Sequence, residues 1–381
     1  MKKFKIVLVG GGSTWTPGIL KSLTNHKGTF PLDQIVLYDV DEERQSIVAQ
    51  AGEILFREES PETKFIYTTD KEIAFKDKDF ILCQMRTGGY PMRLKDEQIP
   101  MSLGVIGQET CGPGGFAYGM RSIRDMIELV NDVRTYSPEA WIINYTNPAA
   151  IVADALSLVF PEDKKILNIC DQPVNLLRSY GRLMEVDEKI WEPVYFGLNH
   201  FGWFTHLYDK DGNDYVPLIK EKISKDGFIP VDAEQRDKSW LDTYGMVKDM
   251  LDDFPDYLPN TYLQYYLYPE YKYHKMDPIN TRAVEVMKGR EKRVFEECAA
   301  IVAANTTKDS KLVHNDAHGD MIVEVAESIA HNRNQIFIVI LKNDGLIANV
   351  SDSAMVEVAA TLGKNGPRAF GVGEVSTFYK G

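Results

Sequence analysis

Six short apolar runs punctuate the first half of the chain: FKIVLV (4–9), QIVLYD (34–39), KFIYTT (64–69), DFILCQ (79–84), AWIINYT (140–146) and KKILNIC (164–170). Within each run the hydrophobic residues are nearly continuous rather than alternating. That is the pattern of strands covered on both faces, as in a parallel sheet. Amphipathic stretches with helical spacing, at 41–58 and 118–136, lie between several of them. The alternation of strand and helix predicts a doubly wound α/β sheet.

Beyond residue 190 the rhythm changes. EPVYFGLNHFGWF (192–204) and strand-like pieces at 336–341 and 346–350 sit among helical segments such as 281–304 and 317–331. The pattern predicts a first lobe over 1–190 and a second, mixed α+β lobe over 191–381. No long Pro/Gly/Ser linker divides them, so a cleft between closely packed lobes is expected. Internal repeats and low-complexity segments are absent from the sequence.

Length and charge narrow the possibilities. A chain of 381 residues is long enough for two lobes with a substantial core. A formal net charge of −13 argues against a nucleic-acid or anionic-membrane surface, while leaving a small anionic ligand open wherever arginines gather. Nowhere does an apolar run reach the roughly 18 residues of a membrane-crossing helix. The N-terminal MKKFKIVLVGGG has too short an apolar run for a signal peptide and suits a first strand better. Four cysteines, at 83, 111, 170 and 298, show neither CxxC nor disulfide-like spacing, which fits a reducing cytoplasm.

The stretch VLVGGGSTWTP (7–17) is a strand running into a glycine turn and then a helix with proline at its entry. Gly10, Gly11 and Gly12 permit close backbone approach, and the N–H groups around Ser13 and Thr14 open the helix as an anion site. Asp39 ends the next strand, where a carboxylate accepts from ribose hydroxyls and repels a 2′-phosphate. A strict GxGxxG fingerprint would have glycine where this chain has Trp15. A glycine turn that binds no nucleotide is the alternative. Strand, turn, helix, strand and terminal aspartate in order favour a Rossmann-like lobe that binds NAD rather than NADP.

Other residues are ambiguous when taken singly. In LNICDQP (167–173), Cys170 and Asp171 read as a core thiol and a helix cap, or as a metal ligand beside a proton donor. His200, in NHFGW, is flanked by aromatics and, taken alone, suits a structural core role better than a ligand role. The tyrosines of LPNTYLQYY suit packing, Arg93 and Arg282 suit the surface, and Asn147 before Pro148 suits a turn. His314 and His318 stand at a helical metal spacing, but HNDAH lacks the glutamate of HExxH, so the pair is read as a decoy.

Taken together, GGGSTWTPG (10–18), LKDEQIPMSLGVIGQETCGPGG (94–115), NYTNPAAIV (144–152), LNICDQP, GLNHFGWF (197–204), LPNTYLQYYLYP (258–269) and NTRAVEVMKGRE (280–291) resemble glycoside hydrolase family 4. Within it the likeness is greatest to the branch acting on 6-phospho-α-glucosides. The resemblance implies a lactate/malate-dehydrogenase-like architecture and a requirement for NAD and a divalent metal, usually Mn²⁺. It implies hydrolysis of a phosphorylated disaccharide such as maltose 6′-phosphate by C3 oxidation, C2 deprotonation, elimination, water addition and re-reduction, outside the two-carboxylate scheme of most glycosidases.

By the same resemblance, Cys170 and His200 are metal ligands, Asp171 the leaving-group acid, and Tyr262 the general base. Arg93, Asn147 and Arg282 become contacts to the substrate phosphate. Members acting on β-linked substrates generally carry Asn at the position of Asp171, so an aspartate here points to the α-linkage. Gln172 departs from the methionine common in the family. Members usually continue past the equivalent of Gly381, so the second lobe is expected to lack a C-terminal segment. Three other readings stay open: a truncated, weakly active or inactive NAD-binding relative, a member acting on another hexoside, or an NAD-dependent hydroxyacid dehydrogenase. A homo-oligomer, dimer or tetramer, is expected if that segment is dispensable.

Overall fold

The apolar runs form the expected strands: β1 (Phe4–Val9), β2 (Leu32–Tyr38), β3 (Lys64–Thr68), β4 (Phe80–Cys83), β5 (Trp141–Asn144) and β6 (Ile166–Asn168). The computed structural model describes residues 2–230, 233, 238–312 and 317–380. All neighbouring pairs among β1–β6 are parallel, in the order β3-β2-β1-β4-β5-β6. The order reverses between β1 and β4, and a doubly wound sheet opens its ligand crevice at that point, beyond the carboxyl ends of the strands.

Continuous hydrophobicity follows from burial on both faces. Ile6, Leu8, Ile35 and Leu37 pack with Ile19, Leu20 and Ile322 on one face. Val7, Val9, Val36 and Ile81 pack with Met126 and Val130 on the other. Complete burial of each such aliphatic side chain contributes about 1.5–3 kcal/mol, so neither face tolerates a polar period.

The second half supplies β7 (Glu192–Leu198), β8 (Phe201–Tyr208) and β9 (Leu258–Pro259), an antiparallel three-stranded sheet in that order. It also supplies β10 (Gln335–Lys342), β11 (Met355–Gly363) and β12 (Gly366–Ala369), which extend the first sheet beyond β6 to nine strands. β10 runs antiparallel to both β6 and β11. The large sheet therefore draws on both halves of the chain.

Two elements differ from the sequence reading. The piece at 346–350 is a loop with a single isolated bridge, Ile347 to Gly373. Asn343 causes this, because its amide donates to the carbonyls of Ile347 and Val350 and accepts from the Ile347 N–H at 2.8 Å, curling the chain on itself. The helical stretch 281–304 is interrupted: Arg282–Val286 and Lys292–Ala304 are α-helical, with a π-helical turn, Met287–Glu291, between them. No described helix is long and apolar enough to cross a membrane.

Candidate active site

A cavity of about 380 Å³ lies beyond the carboxyl ends of β4, β5 and β6, and Arg93, Asn147, Cys170, Asp171, His200, Tyr262 and Arg282 all line it. These residues come from six separate segments, and the fold brings every one of them to a single cavity.

Cys170 lies just after β6. His200 occupies the turn between β7 and β8 with a left-handed φ of +66°, a conformation uncommon for a residue with a side chain. The Cys170 Sγ and His200 Nε2 stand 3.6 Å apart, both buried. On the far side of the ring, His200 Nδ1 is 3.2 Å from the Thr110 hydroxyl, which orients the imidazole with Nε2 toward the sulfur. Burial lowers the His200 pKa to about 4, leaving a neutral ring with a lone pair to give. Burial pushes the Cys170 thiol well up, and the nearby Glu357 and Asp171 carboxylates add to the rise. Thiol and imidazole suit a borderline divalent cation, whose charge would favour the thiolate. Among the described residues no third His, Cys, Asp or Glu completes a metal-holding group. The donor set therefore fits a cation that leaves coordination positions to substrate oxygens.

Asp171 precedes the helix Gln172–Met184, yet its side chain makes no capping bond to that helix. Its backbone carbonyl accepts from Asn175 N at 2.8 Å, and the residue lines the cavity. The cap reading of this carboxylate is thus not what the structure shows.

Tyr262 belongs to the 3₁₀ turn Thr261–Leu263 that follows β9. Its ring stacks on that of His200, with centroids 4.1 Å apart and planes 26° from parallel. Asn260 Oδ1 accepts the Tyr262 N–H at 2.9 Å and fixes the turn. Burial raises the phenol well above its ordinary range, with Tyr265 and Glu109 acting in the same direction. Basic behaviour near neutrality therefore requires a positive partner in the cavity.

Arg93 is a buried side chain rather than a surface one. Its Nε donates to Glu97 Oε1 at 2.8 Å and its Nη1 lies 2.9 Å from Glu109 Oε2. Arg86 Nη1 reaches the same Glu109 oxygen at 2.7 Å. Burial pushes the Glu109 carboxyl up, but Arg86 and Arg93 outweigh it and hold the group down at about 2. Arg282 Nη1 pairs with Glu285 Oε2 at 3.0 Å. The Asn147–Pro148 peptide is cis, and the Asn147 carbonyl accepts from the Ser122 hydroxyl at 3.1 Å.

At the end of β1 the three glycines form a turn packed so closely on its neighbours that a Cβ would collide with them. Gly10 has φ +82°, and a Cβ there would stand 3.0 Å from the Gln84 carbonyl oxygen. A Cβ on Gly11 would lie 2.4 Å from Gln45 Oε1. Gly12 N–H donates to Asp39 Oδ2 at 2.8 Å, so Asp39, the residue just after β2, braces the turn. Ser13 Oγ accepts from the Trp15 N–H at 3.2 Å, and Thr14 is buried beside it. Close backbone approach at a helix entry fits a dinucleotide pyrophosphate. Trp15 lines the same cavity, with the Arg290 guanidinium 4.3 Å over its ring.

Sequence reasoning missed Glu109, Arg290 and Glu357. Glu109 lay inside a quoted motif without being singled out. Glu357 is fully buried on β11, accepting from Asn199 Nδ2 at 2.9 Å and Tyr195 OH at 3.0 Å, and burial raises its pKa to about 7. A lone glutamate within MVEVAATLG was the available signal. His314 and the His318 side chain lie outside the described residues.

A dinucleotide-type sheet with six parallel strands, and a Cys/His pair and an acid beside its crevice, defines a cofactor-linked, metal-assisted enzyme class. The family 4 glycosyl hydrolase model matches residues 5–185, and the family 4 glycosyl hydrolase C-terminal domain model matches residues 195–381. This chain belongs to glycoside hydrolase family 4. The 6-phospho-α-glucosidase of Leptotrichia buccalis is 48% identical over 383 residues, spanning 100% of this chain and 87% of its relative. The crystal structure of a 6-phospho-α-glucosidase from gut microorganisms in complex with NAD and Mn²⁺ superposes with a TM-score of 0.97 at 57% identity, over 99% of this chain and 86% of that one. A second 6-phospho-α-glucosidase from gut microorganisms, in complex with NAD and glucose 6-phosphate, gives 0.94 at 41% identity, over 99% and 86% of the two chains.

Proposed function

We propose that this chain hydrolyses 6-phospho-α-glucosides, maltose 6′-phosphate among them, with NAD and a divalent cation, Mn²⁺ by preference. The observation that carries the reading is the convergence of Cys170, Asp171, His200 and Tyr262 in one cavity with Arg93 and Arg282. The likeness to 6-phospho-α-glucosidases supports it.

Cys170 and His200 hold the cation, while Gly10, Gly11, Gly12, Ser13, Thr14 and Asp39 receive the dinucleotide. When bound, the dinucleotide supplies reversible hydride transfer at C3 of the sugar and the cation supplies Lewis acidity beside it. Tyr262 takes the C2 proton, acidified by the C3 ketone. Asp171 gives its proton to the departing glycosidic oxygen as the C1–O bond breaks, a step an amide cannot perform. Water then adds at C1 while Tyr262 returns a proton to C2, which restores the C3 ketone before it is reduced again. Arg93, Asn147 and Arg282 hold the phosphate, for which a planar guanidinium fork is well suited.

In this reading residues 1–190 form the dinucleotide lobe, and 191–381 contribute His200, Tyr262 and Arg282. Ile99, Leu103, Phe116 and Met120, exposed on two packed helical segments, support a homo-oligomer. A cytoplasmic location fits the scattered, unpaired cysteines and a phosphorylated substrate.

The deciding assay follows maltose 6′-phosphate with NAD⁺ and Mn²⁺ in D₂O. Glucose and glucose 6-phosphate should form without net NADH, with deuterium at C2 of the glucose 6-phosphate alone. Accumulating NADH would indicate a dehydrogenase, and equal turnover of maltose would remove the phosphate from the reading.

A further inference from the structure

Gln172 stands between the Asp171 carboxylate and Pro173, and the reaction as derived makes no use of it. Its side chain is buried at 3% exposure and lines the cavity. The amide Nε2 donates to the hydroxyl of Thr261, itself fully buried and the residue before Tyr262. Amide and hydroxyl can each donate and accept, so the link survives either orientation of the amide.

Within the Tyr262 turn, Asn260 Oδ1 accepts the Tyr262 N–H and Gln264 Nε2 donates to the Thr261 carbonyl at 2.7 Å, but neither bond reaches the Cys170–Asp171 segment. The turn is a three-residue 3₁₀ segment between a two-residue strand and the four-residue helix Gln264–Leu267. Asn260 ties one end to the β7–β8 hairpin, its N–H donating to the Gly202 carbonyl at 2.9 Å and its Nδ2 to Tyr195 OH at 3.2 Å. Gln172 ties the next residue to the segment that carries Cys170 and Asp171. A methionine would occupy a similar volume without a donor, leaving Thr261 untethered on that side.

We propose that Gln172 is a positioning residue: its hydrogen bond to Thr261 fixes the Tyr262 turn against the Cys170–Asp171 segment and so sets base and acid on either side of the reacting carbons. The inference rests on Tyr262 as base and Asp171 as acid, and it adds the group that holds their relative placement.

The test uses full-length Gln172→Met, Thr261→Val, the double variant and Thr261→Ser, with protonated and 2-deuterated maltose 6′-phosphate. Fluorescence titration with NAD⁺ reports folding independently of turnover. Each of the first two variants should lower kcat about tenfold, with KM changed less than about twofold, because displacement of the base slows proton abstraction more than binding. The C2 isotope effect should rise, the double variant should be no slower than the slower single, and Thr261→Ser should recover most of the loss. Unchanged kcat, losses that multiply, or an unchanged isotope effect beside a fallen kcat would each overturn the proposal. Loss of NAD⁺ binding in both single variants would overturn it too, since the link would then serve folding. A wild-type enzyme with neither a C2 isotope effect nor C2 exchange in D₂O would instead remove the base assignment itself.

Discussion

The Cys170 sulfur and the His200 Nε2 face each other across 3.6 Å although 30 residues separate them in sequence. One follows a strand of the large sheet and the other sits at the tip of a hairpin of the small one. Neither ring nor thiol carries a charge that would repel a cation, and each can offer a lone pair to it. Cys170→Ser and His200→Asn should each lower Mn²⁺-dependent turnover by about 100-fold or more, a loss beyond that typical of outer-shell changes. Mn²⁺ titration by electron paramagnetic resonance should show weakened binding in both. NAD⁺ affinity, read by fluorescence, should stay close to wild type.

Asp171→Asn separates the leaving-group acid from every other role of that position. With maltose 6′-phosphate, kcat/KM should fall by about 10²–10⁴. A nitrophenyl 6-phospho-α-glucoside, whose leaving group needs no proton, should lose far less. Equal losses on both substrates would contradict the acid role.

Asp39 braces Gly12, and in the proposed reading its carboxylate receives the adenosine ribose. Asp39→Ala should weaken NAD⁺ by about tenfold, through a lost charge-assisted hydrogen bond, and should narrow the preference over NADP⁺. Parallel fluorescence titrations with the two nucleotides check both effects. At saturating NAD⁺, kcat should change little.

Two carboxylates, the mostly covered Glu109 and the fully buried Glu357, give stability profiles of opposite sign. Glu109 is held at about 2, below its ordinary 4.5, so the stability it lends is complete above about 4.5 and is lost as pH falls toward 2. Glu357 is raised from 4.5 to about 7, so folding favours its protonated form, and stability declines as pH rises through that interval. In metal-free protein, Glu357→Gln should flatten the melting temperature between about pH 4.5 and 7. Melting curves of wild type and variant across that range test this directly.

Much of the large sheet is legible because its strands are covered on both faces, so a run such as FKIVLV carries no competing period. β11 is less so: Glu357 interrupts its apolar run, and the polar partners that satisfy that glutamate, Tyr195 and Asn199, lie far away in sequence. The loop at 346–350 looks like a strand by composition because one side chain, Asn343, decides its path. The site residues are readable as local motifs, and family resemblance gives them roles. Their meeting is not readable from spacing, since Arg93 changes from surface candidate to buried partner of Glu97 and Glu109 only in three dimensions. Asp171 shows the converse, since a plausible helix-cap position carries a side chain that does not cap.

The antiparallel strand β10 completes the neighbourhood of β6, and Ile340 and Met355 pack directly with Cys170. A ribosome-bound chain that has exposed everything through His331 still presents β6 with one edge unpaired. The thiol then has only half of its apolar wall. Closure around the Cys170 sulfur depends on residues 335–363, so the wall of the proposed cation pocket comes from strands remote in sequence from β6, whereas the nearest contacts of the glycine turn lie within the first 85 residues.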